Sequence, residues 1–361
     1  MQNPTLRDVA QKAGVHPATA SRALNPDTRS LVSAETARRV LRIAKSIGYQ
    51  PNPIAQSLKT AKSRTIGVII PDLTNPLFPP IVRGIDDVLG ARGYSVLLVN
   101  TDNDPGREEA LVRSLRSRHV EGLIVATARL DHPLLEQLQR EGVQMVMVNR
   151  RPTGVEASTV SAADAEGMAT AVRHLADLGH RTVAHLAGPQ TTSTGVLRME
   201  SFRSAVRECG LDDDPSLIGV CDYWSEAEGA RALRELLERG TEPTAIVAGN
   251  DLIAIGCYDV FRELDISCPR QISVVGFNGM PFLENFRPPL TTVAVPHYEI
   301  GVEAARMLLE SIKEPSRLPR SVQLPVTLVS RESTAPPPRR AAPVRPARTT
   351  RRSGVADSRS R

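Results

Sequence analysis

Apolar positions follow a helical spacing over the first fifty residues and gather into short unbroken runs after them. Leu6, Val9, Ala10 and Ala13 share one helical face. Thr5 opens that segment with Asp8 three residues on, a variant of the capping box, and Gly14 sits where a left-handed closing turn needs it. Val15-His16 forms a turn, and Pro17 starts a second helix, Ala18–Leu24, at the position proline favours. Ser33 caps a third helix whose buried stripe is Ala37, Val40, Ala44 and Ile47, and Gly48 ends it. Two short helices joined by a glycine turn and backed by a third describe a helix-turn-helix, although a plain three-helix bundle shares the periodicity.

Residues 49–64 are a polar, proline-punctuated connector. From 65 to 330 apolar runs alternate with helical patterns. Ile66–Ile70, Val96–Val99, Gly122–Val125 and Val143–Val148 read as strands separated by helices near Pro80–Arg92, Arg107–Arg118 and Pro133–Arg140. Continuous β-branched runs between helices predict parallel strands buried on both faces. The rhythm restarts near Thr159. Helix Ala165–Leu178, strand Thr182–Ala187 and helix Arg198–Cys209 follow, then helix Glu226–Glu238, strand Ala245–Val247, helix Leu252–Leu264 and strand Ser273–Val275. So long a stretch predicts two similar α/β lobes, with strand Thr291–Val295 and helix His297–Ile312 crossing back to join them. Residues 331–361 are rich in proline, arginine and alanine and read as a disordered basic tail.

Charge sharpens the division. Residues 1–64 carry +8 and residues 335–361 carry +7, which leaves −10 for the middle of a chain whose total is +5. A basic head on an acidic body points to a polyanion as the partner of the head. No apolar run is long enough for a membrane span, and the start has no secretory pattern, so the expected location is the cytoplasm. Cys209, Cys221, Cys257 and Cys268 lack metal-ligand spacing and read as free, mostly buried thiols.

In a helix-turn-helix the second helix enters the major groove. Small residues at its start admit the backbone, while Thr19, Ser21 and Arg22 supply hydrogen bonds to phosphates and base edges. Here a resemblance becomes specific. Thr5–Ala10, Ala13-Gly14-Val15, Thr19–Asn25 and Gly48-Tyr49-Gln50-Pro51-Asn52 resemble the head of the lactose-repressor (LacI/GalR) family, and the likeness runs to about Ser330. It implies DNA contacts from Thr5, His16, Pro17, Ala18, Thr19, Ser21, Arg22 and Asn25. Ala55, Leu58 and Lys59 match a hinge helix whose leucine wedges a central base step in the minor groove. His16 stands where relatives carry a serine cap, and Pro17 and Ala18 replace longer base-reading residues.

Ligands of open α/β sheets bind at the carboxyl ends of strands, and with two lobes the cleft between them is the expected pocket. Asn75, Phe78, Arg150, Asp164, Arg198, Trp224, Asn250, Asp251, Phe277 and Asn278 lie near such ends and suit a small polar ligand. They also resemble the family's effector contacts, on a body like that of periplasmic sugar-binding proteins. Asn75, Asn250 and Asp251 serve equally well as helix caps, and Trp224 as core. Ala163, Asn278 and Val295 depart from an acid, an aspartate and a glutamine common in relatives, so the effector is sugar-like or unknown. No GxGxxG after a strand, Walker loop, GxSxG elbow or HExxH is present, so no cofactor, metal or catalysis is expected. The expectation is an α/β protein: a helix-turn-helix head (1–48), a hinge (49–64) and a two-lobed sensor (65–330). The resemblance implies that it represses transcription as a homodimer on palindromic operator DNA under the control of a small-molecule effector. A transported-solute receptor and a sugar-modifying enzyme are the competing readings.

Overall fold

The computed structural model describes residues 4–25, 28–49 and 63–338. Helices α1 (Leu6–Ala13), α2 (Pro17–Leu24) and α3 (Ala34–Ser46) form the head. The Thr5 hydroxyl accepts from the Asp8 N–H while the Asp8 carboxylate accepts from the Thr5 N–H at 2.7 Å, a reciprocal capping box. Gly14 closes α1 at a φ of 61°, a left-handed conformation that glycine adopts without strain. Ser33 caps α3 through the Thr36 N–H. Val9, Ala13, Ala20, Ala23, Val40 and Ala44 make a small core, and the alanines let three short helices approach closely.

The chain divides into two units. Unit 1 comprises residues 1–164, 190–197 and 294–327, and unit 2 the remainder. Unit 1 contains β1 (Thr65–Ile70), β2 (Ser95–Asn100), β3 (Gly122–Val125), β4 (Met145–Val148), β5 (Ser158–Ala162) and β11 (Ser321–Leu324), in the order β11-β5-β4-β3-β1-β2. Every adjacent pair is parallel. Its helices are α4 (Phe78–Gly90), α5 (Pro105–Ser117), α6 (Pro133–Arg140) and α11 (His297–Lys313). α4 and α11 meet backbone to backbone: a Cβ on Gly84 would lie 2.2 Å from the Tyr298 carbonyl, and one on Gly301 2.0 Å from that of Ile81. Two glycines therefore set the spacing of that helix pair.

The second sheet runs β12-β10-β9-β8-β6-β7, from β6 (Val183–Ala187), β7 (Ile218–Val220), β8 (Ala245–Ala248), β9 (Ser273–Asn278), β10 (Thr291–Ala294) and β12 (Thr327–Val329). Helices α7 (Asp164–Asp177), α8 (Ser193–Glu208), α9 (Glu226–Glu238) and α10 (Asp251–Glu263) accompany it. α9 and α10 repeat the glycine device. A Cβ on Gly256 would sit 2.1 Å from the Glu226 carbonyl, and one on Gly229 2.3 Å from that of Ile253.

Three expectations need correction. The strand near Thr159 does not begin a second lobe; β5 pairs with β4 and completes the first sheet. Strands β7, β11 and β12 were not expected, because half-exposed edge strands such as Ser321–Leu324 carry no unbroken apolar run. The body also does not stop at 330. Ser333 is fully buried, and its hydroxyl donates to the Val274 carbonyl at 2.6 Å, so the tail starts later than expected. The hinge residues Ala55, Leu58 and Lys59, and the chain from 339 onward, lie outside the described residues. All four cysteines are free, with Cys221 and Cys257 buried and Cys209 and Cys268 half-buried. Among the described residues no helix is long and apolar enough to cross a membrane.

Candidate functional site

α2 turns Ala20 and Ala23 into the head's core, which leaves Ala18 and Arg22 exposed and Pro17, Thr19, Ser21 and Asn25 half-covered on the other side. His16, exposed, caps α2 itself: its Nδ1 accepts from the Ala18 N–H at 3.2 Å. A neutral imidazole accepting at Nδ1 carries its proton on Nε2, where it is a donor. Thr5 is engaged in the capping box of α1, so its hydroxyl is shared with Asp8. The surface of α2 thus presents small residues at its start and a guanidinium in its last turn.

In unit 2 the carboxyl ends of β6, β8 and β9 gather most of the expected ligand residues. The Arg198 guanidinium donates to the Gly249 carbonyl at 2.7 Å and to Asn278 Oδ1 at 3.4 Å. It stacks 3.8 Å above the Phe277 ring and lies 5.7 Å from that of Trp224. Trp224 covers bare backbone. A Cβ on Gly188 would sit 2.0 Å from its ring, and one on Gly249 3.2 Å away. The Trp224 indole Nε1 is buried and has no hydrogen-bond partner among the described residues, a cost that a bound acceptor relieves. Asn278, nearly inaccessible, holds a φ of 116°, a strained value for a residue with a Cβ.

Their neighbours have structural duties. Asn250 Oδ1 accepts from the Ile253 N–H and caps α10. Asp251 accepts from the Thr292 hydroxyl at 2.6 Å and the Met280 N–H at 2.8 Å, tying the loop after β9 to β10. Burial pushes the Asp251 carboxyl up to about 7, against the opposing pull of those bonds. On β6, His185 stacks on Phe202 at 4.7 Å and bonds the Val247 carbonyl through Nδ1 at 2.7 Å. Burial drives its ring down to about 4, which keeps it neutral.

In unit 1, Asn75 Oδ1 accepts from the Leu77 N–H and shapes the turn into α4, whose first residue, Phe78, packs into the core with Ile81 and Ile85. Arg150 follows β4 and Asp164 begins α7; both are buried. Sequence reasoning missed a buried group here. The Thr127 hydroxyl donates to Glu108, and Glu108 Oε2 lies 3.3 Å from His132 Nε2. It also missed Gly188 and Gly249, although a glycine directly after a strand is the available signal for close approach of a ring or ligand. Among the described residues no cluster of side chains has metal-binding character.

Residues 5–52 match the profile of bacterial regulatory proteins of the lacI family, and residues 172–334 that of a periplasmic binding protein-like domain. The chain is 34% identical over 310 residues to the HTH-type transcriptional repressor CytR of Escherichia coli strain K12, covering 86% of this chain and 90% of that protein. Among solved structures it is similar to the lac repressor dimer bound to operator and an anti-inducer, with a TM-score of 0.80, 27% identity, and 92% of this chain and all of that one covered. It is also similar to a complex of the transcriptional regulator CelR with cellobiose, with a TM-score of 0.71, 31% identity and the same coverage. With a helix-turn-helix head, two α/β units and likeness across nine-tenths of a curated repressor, the chain belongs to the lacI family of bacterial regulatory proteins.

Proposed function

We propose that this protein is a cytoplasmic transcriptional repressor that grips palindromic operator DNA as a homodimer and answers to a sugar-like effector, without turning that ligand over. The observation that carries the reading is the exposed face of α2, with Arg22 and the His16-capped start set in a head and hinge of joint charge +8. A helix of eight residues with that surface fits the major groove, where Arg22 paired with guanine is worth roughly 1–3 kcal/mol of discrimination. Leu58 serves as the minor-groove wedge, an apolar residue whose insertion unstacks a flexible step. The CelR complex holds cellobiose, and the lac repressor dimer sits on its operator. By analogy Arg198, Trp224 and Asn278 bind the effector here. The stacked plane of Trp224 suits the apolar face of a sugar ring, and its indole N–H and the Asn278 amide suit hydroxyls.

Selection of random duplexes by the purified chain tests the DNA reading. A recovered palindrome with a central flexible step is expected. Failure to find any salt-sensitive, sequence-selective duplex overturns it. Thermal-shift screening of mono- and disaccharides tests the effector, since a ligand at about 100 times its Kd stabilises by roughly 2.7 kcal/mol.

A further inference from the structure

Asp251 opens α10 fully buried, and both of its carboxyl oxygens accept hydrogen bonds. Oδ2 accepts from the Met280 N–H at 2.8 Å. Oδ1 accepts from the Thr292 hydroxyl at 2.6 Å, and that hydroxyl in turn accepts from the Gly279 N–H at 3.3 Å. Two successive backbone donors of the loop after β9 thus end on one carboxylate, one directly and one through Thr292 on β10. β9 makes room for it, since a Cβ on Gly276 would lie 2.3 Å from Oδ1.

These bonds fix a stretch of backbone that is unfavourable on its own. Asn278 has a φ of 116° and Gly279 one of 70°, and the first is strained for a residue with a Cβ. The Asn278 side chain accepts from Arg198 at 3.4 Å, and Arg198 stacks 3.8 Å above Phe277 and lies 5.7 Å from the Trp224 ring. One buried carboxylate therefore stands behind the residues proposed to meet the effector, while its own oxygens are engaged. The charge that acts on it is the Arg198 guanidinium. Gly276 on β9, Thr292 on β10, and Gly279 and Met280 in the loop meet it with uncharged groups.

We propose that Asp251 is the positioning residue of the effector site, and that its ionised form holds Asn278, Arg198 and Trp224 in place, so that the effector response weakens in acid. The inference rests on the effector reading of those three residues. A carboxylate offers acceptors alone, which matches donors at both oxygens; a proton on either one sets donor against donor. Burial opposes the charge and brings the carboxyl up to about 7, where both forms coexist near neutrality. Protonation therefore relieves the cost of burial and stabilises the fold while it releases the loop. A residue that only supported the fold would move stability and the order of the site in the same direction.

Trp224 is the only tryptophan of the chain, so its emission reads the site without a ligand. In the unaltered full chain the emission is expected to change in one step with a midpoint of about 7 as pH falls from about 8 to about 6. The His185 ring, held near 4, titrates below this range. Asp251→Asn sets an amide N–H against one of the two donors, so it is expected to show the acid spectrum at every pH, with its folding checked by a melting transition. Thr292→Val removes a donor to the charged form, and its midpoint is expected to move upward. A flat emission in the unaltered chain overturns the proposal, as does a step that persists in Asp251→Asn or an unmoved midpoint in Thr292→Val. Titration with ribose and with cellobiose separates this inference from the effector reading. A sugar that binds is expected to do so about tenfold more weakly at the acid end than at the alkaline end, and equally at both ends in Asp251→Asn. Equal affinity at both ends in the unaltered chain overturns the positioning role. A pH step in the emission with no response to either sugar supports the positioning role and counts against the effector reading alone.

Discussion

Trp224 lies on Gly188 and Gly249 because neither has a side chain to keep it away. That contact makes Gly188 a sharper probe of the effector site than any charged residue in it. In Gly188→Ala the new methyl group would have to occupy a point 2.0 Å from the indole, so the ring must leave its plane above the strand ends. The change touches neither the head nor a core strand residue. The expected outcome is duplex binding at unchanged affinity, with a smaller thermal shift from a stabilising sugar and an apparent Kd for it raised at least tenfold. A full sugar response in Gly188→Ala removes the Trp224 plane from the binding surface. Residues whose side chains already bond the backbone, such as Asn250 at the cap of α10, are expected to affect folding and binding together.

At the level of elements, the second sheet buries histidines that must stay neutral. His185 in β6 is held near 4, and burial also lowers His180, before β6, and His174, on α7. For a base held below its ordinary value of 6.5, the stabilisation is present above 6.5 and is lost as pH falls toward the folded value. Asp251 acts in the opposite sense. Its carboxyl is raised to about 7, so its contribution is present at low pH and is lost as pH rises through 7. The variant His185→Gln isolates the histidine, since glutamine does not titrate. Between pH 7 and pH 5 it is expected to lose about 2 kcal/mol less stability than the unaltered chain, measured by denaturant unfolding. Equal losses place the acid sensitivity elsewhere. The elements themselves were mostly legible, because buried parallel strands such as β1 and β8 are unbroken apolar runs. β5 was legible as a strand but not as a member of the first sheet, since pairing is a long-range choice that no local pattern records. The candidate site was legible as residues near strand ends. Its packing was not: the flat glycine wall and the Arg198 stack on Phe277 depend on where three strands end together.

A repressor proposed to place two heads on a two-fold site needs a surface for a second copy, and a groove on unit 1 is the one we assign to it. β2 is an edge strand of its sheet, and beside it α4 leaves a groove of about 440 Å³ lined by Ile70, Leu73, Pro79, Val82, Val96 and Leu98, with Arg83 and Asp86 at its margin. Leu73 and Leu98 are 54% and 40% exposed, unusual for leucines flanking a groove already apolar. An edge strand with an apolar flank is a hazard unless it is covered, and a copy related by two-fold symmetry covers it with the same groove. Pairing through unit 1 also brings together the parts of two chains nearest in sequence to the hinge, because β1 begins at Thr65. Operator affinity then depends on this surface although no residue in it touches DNA. Leu98→Glu puts a charge on the groove rim while leaving a half-exposed strand position that tolerates a polar residue. It is expected to shift the protein to monomers in sedimentation and to weaken palindrome binding by a hundredfold or more, with binding to a single half-site unchanged. A Leu98→Glu protein that still sediments as a dimer rules this groove out as the interface and moves the two-fold axis to another face.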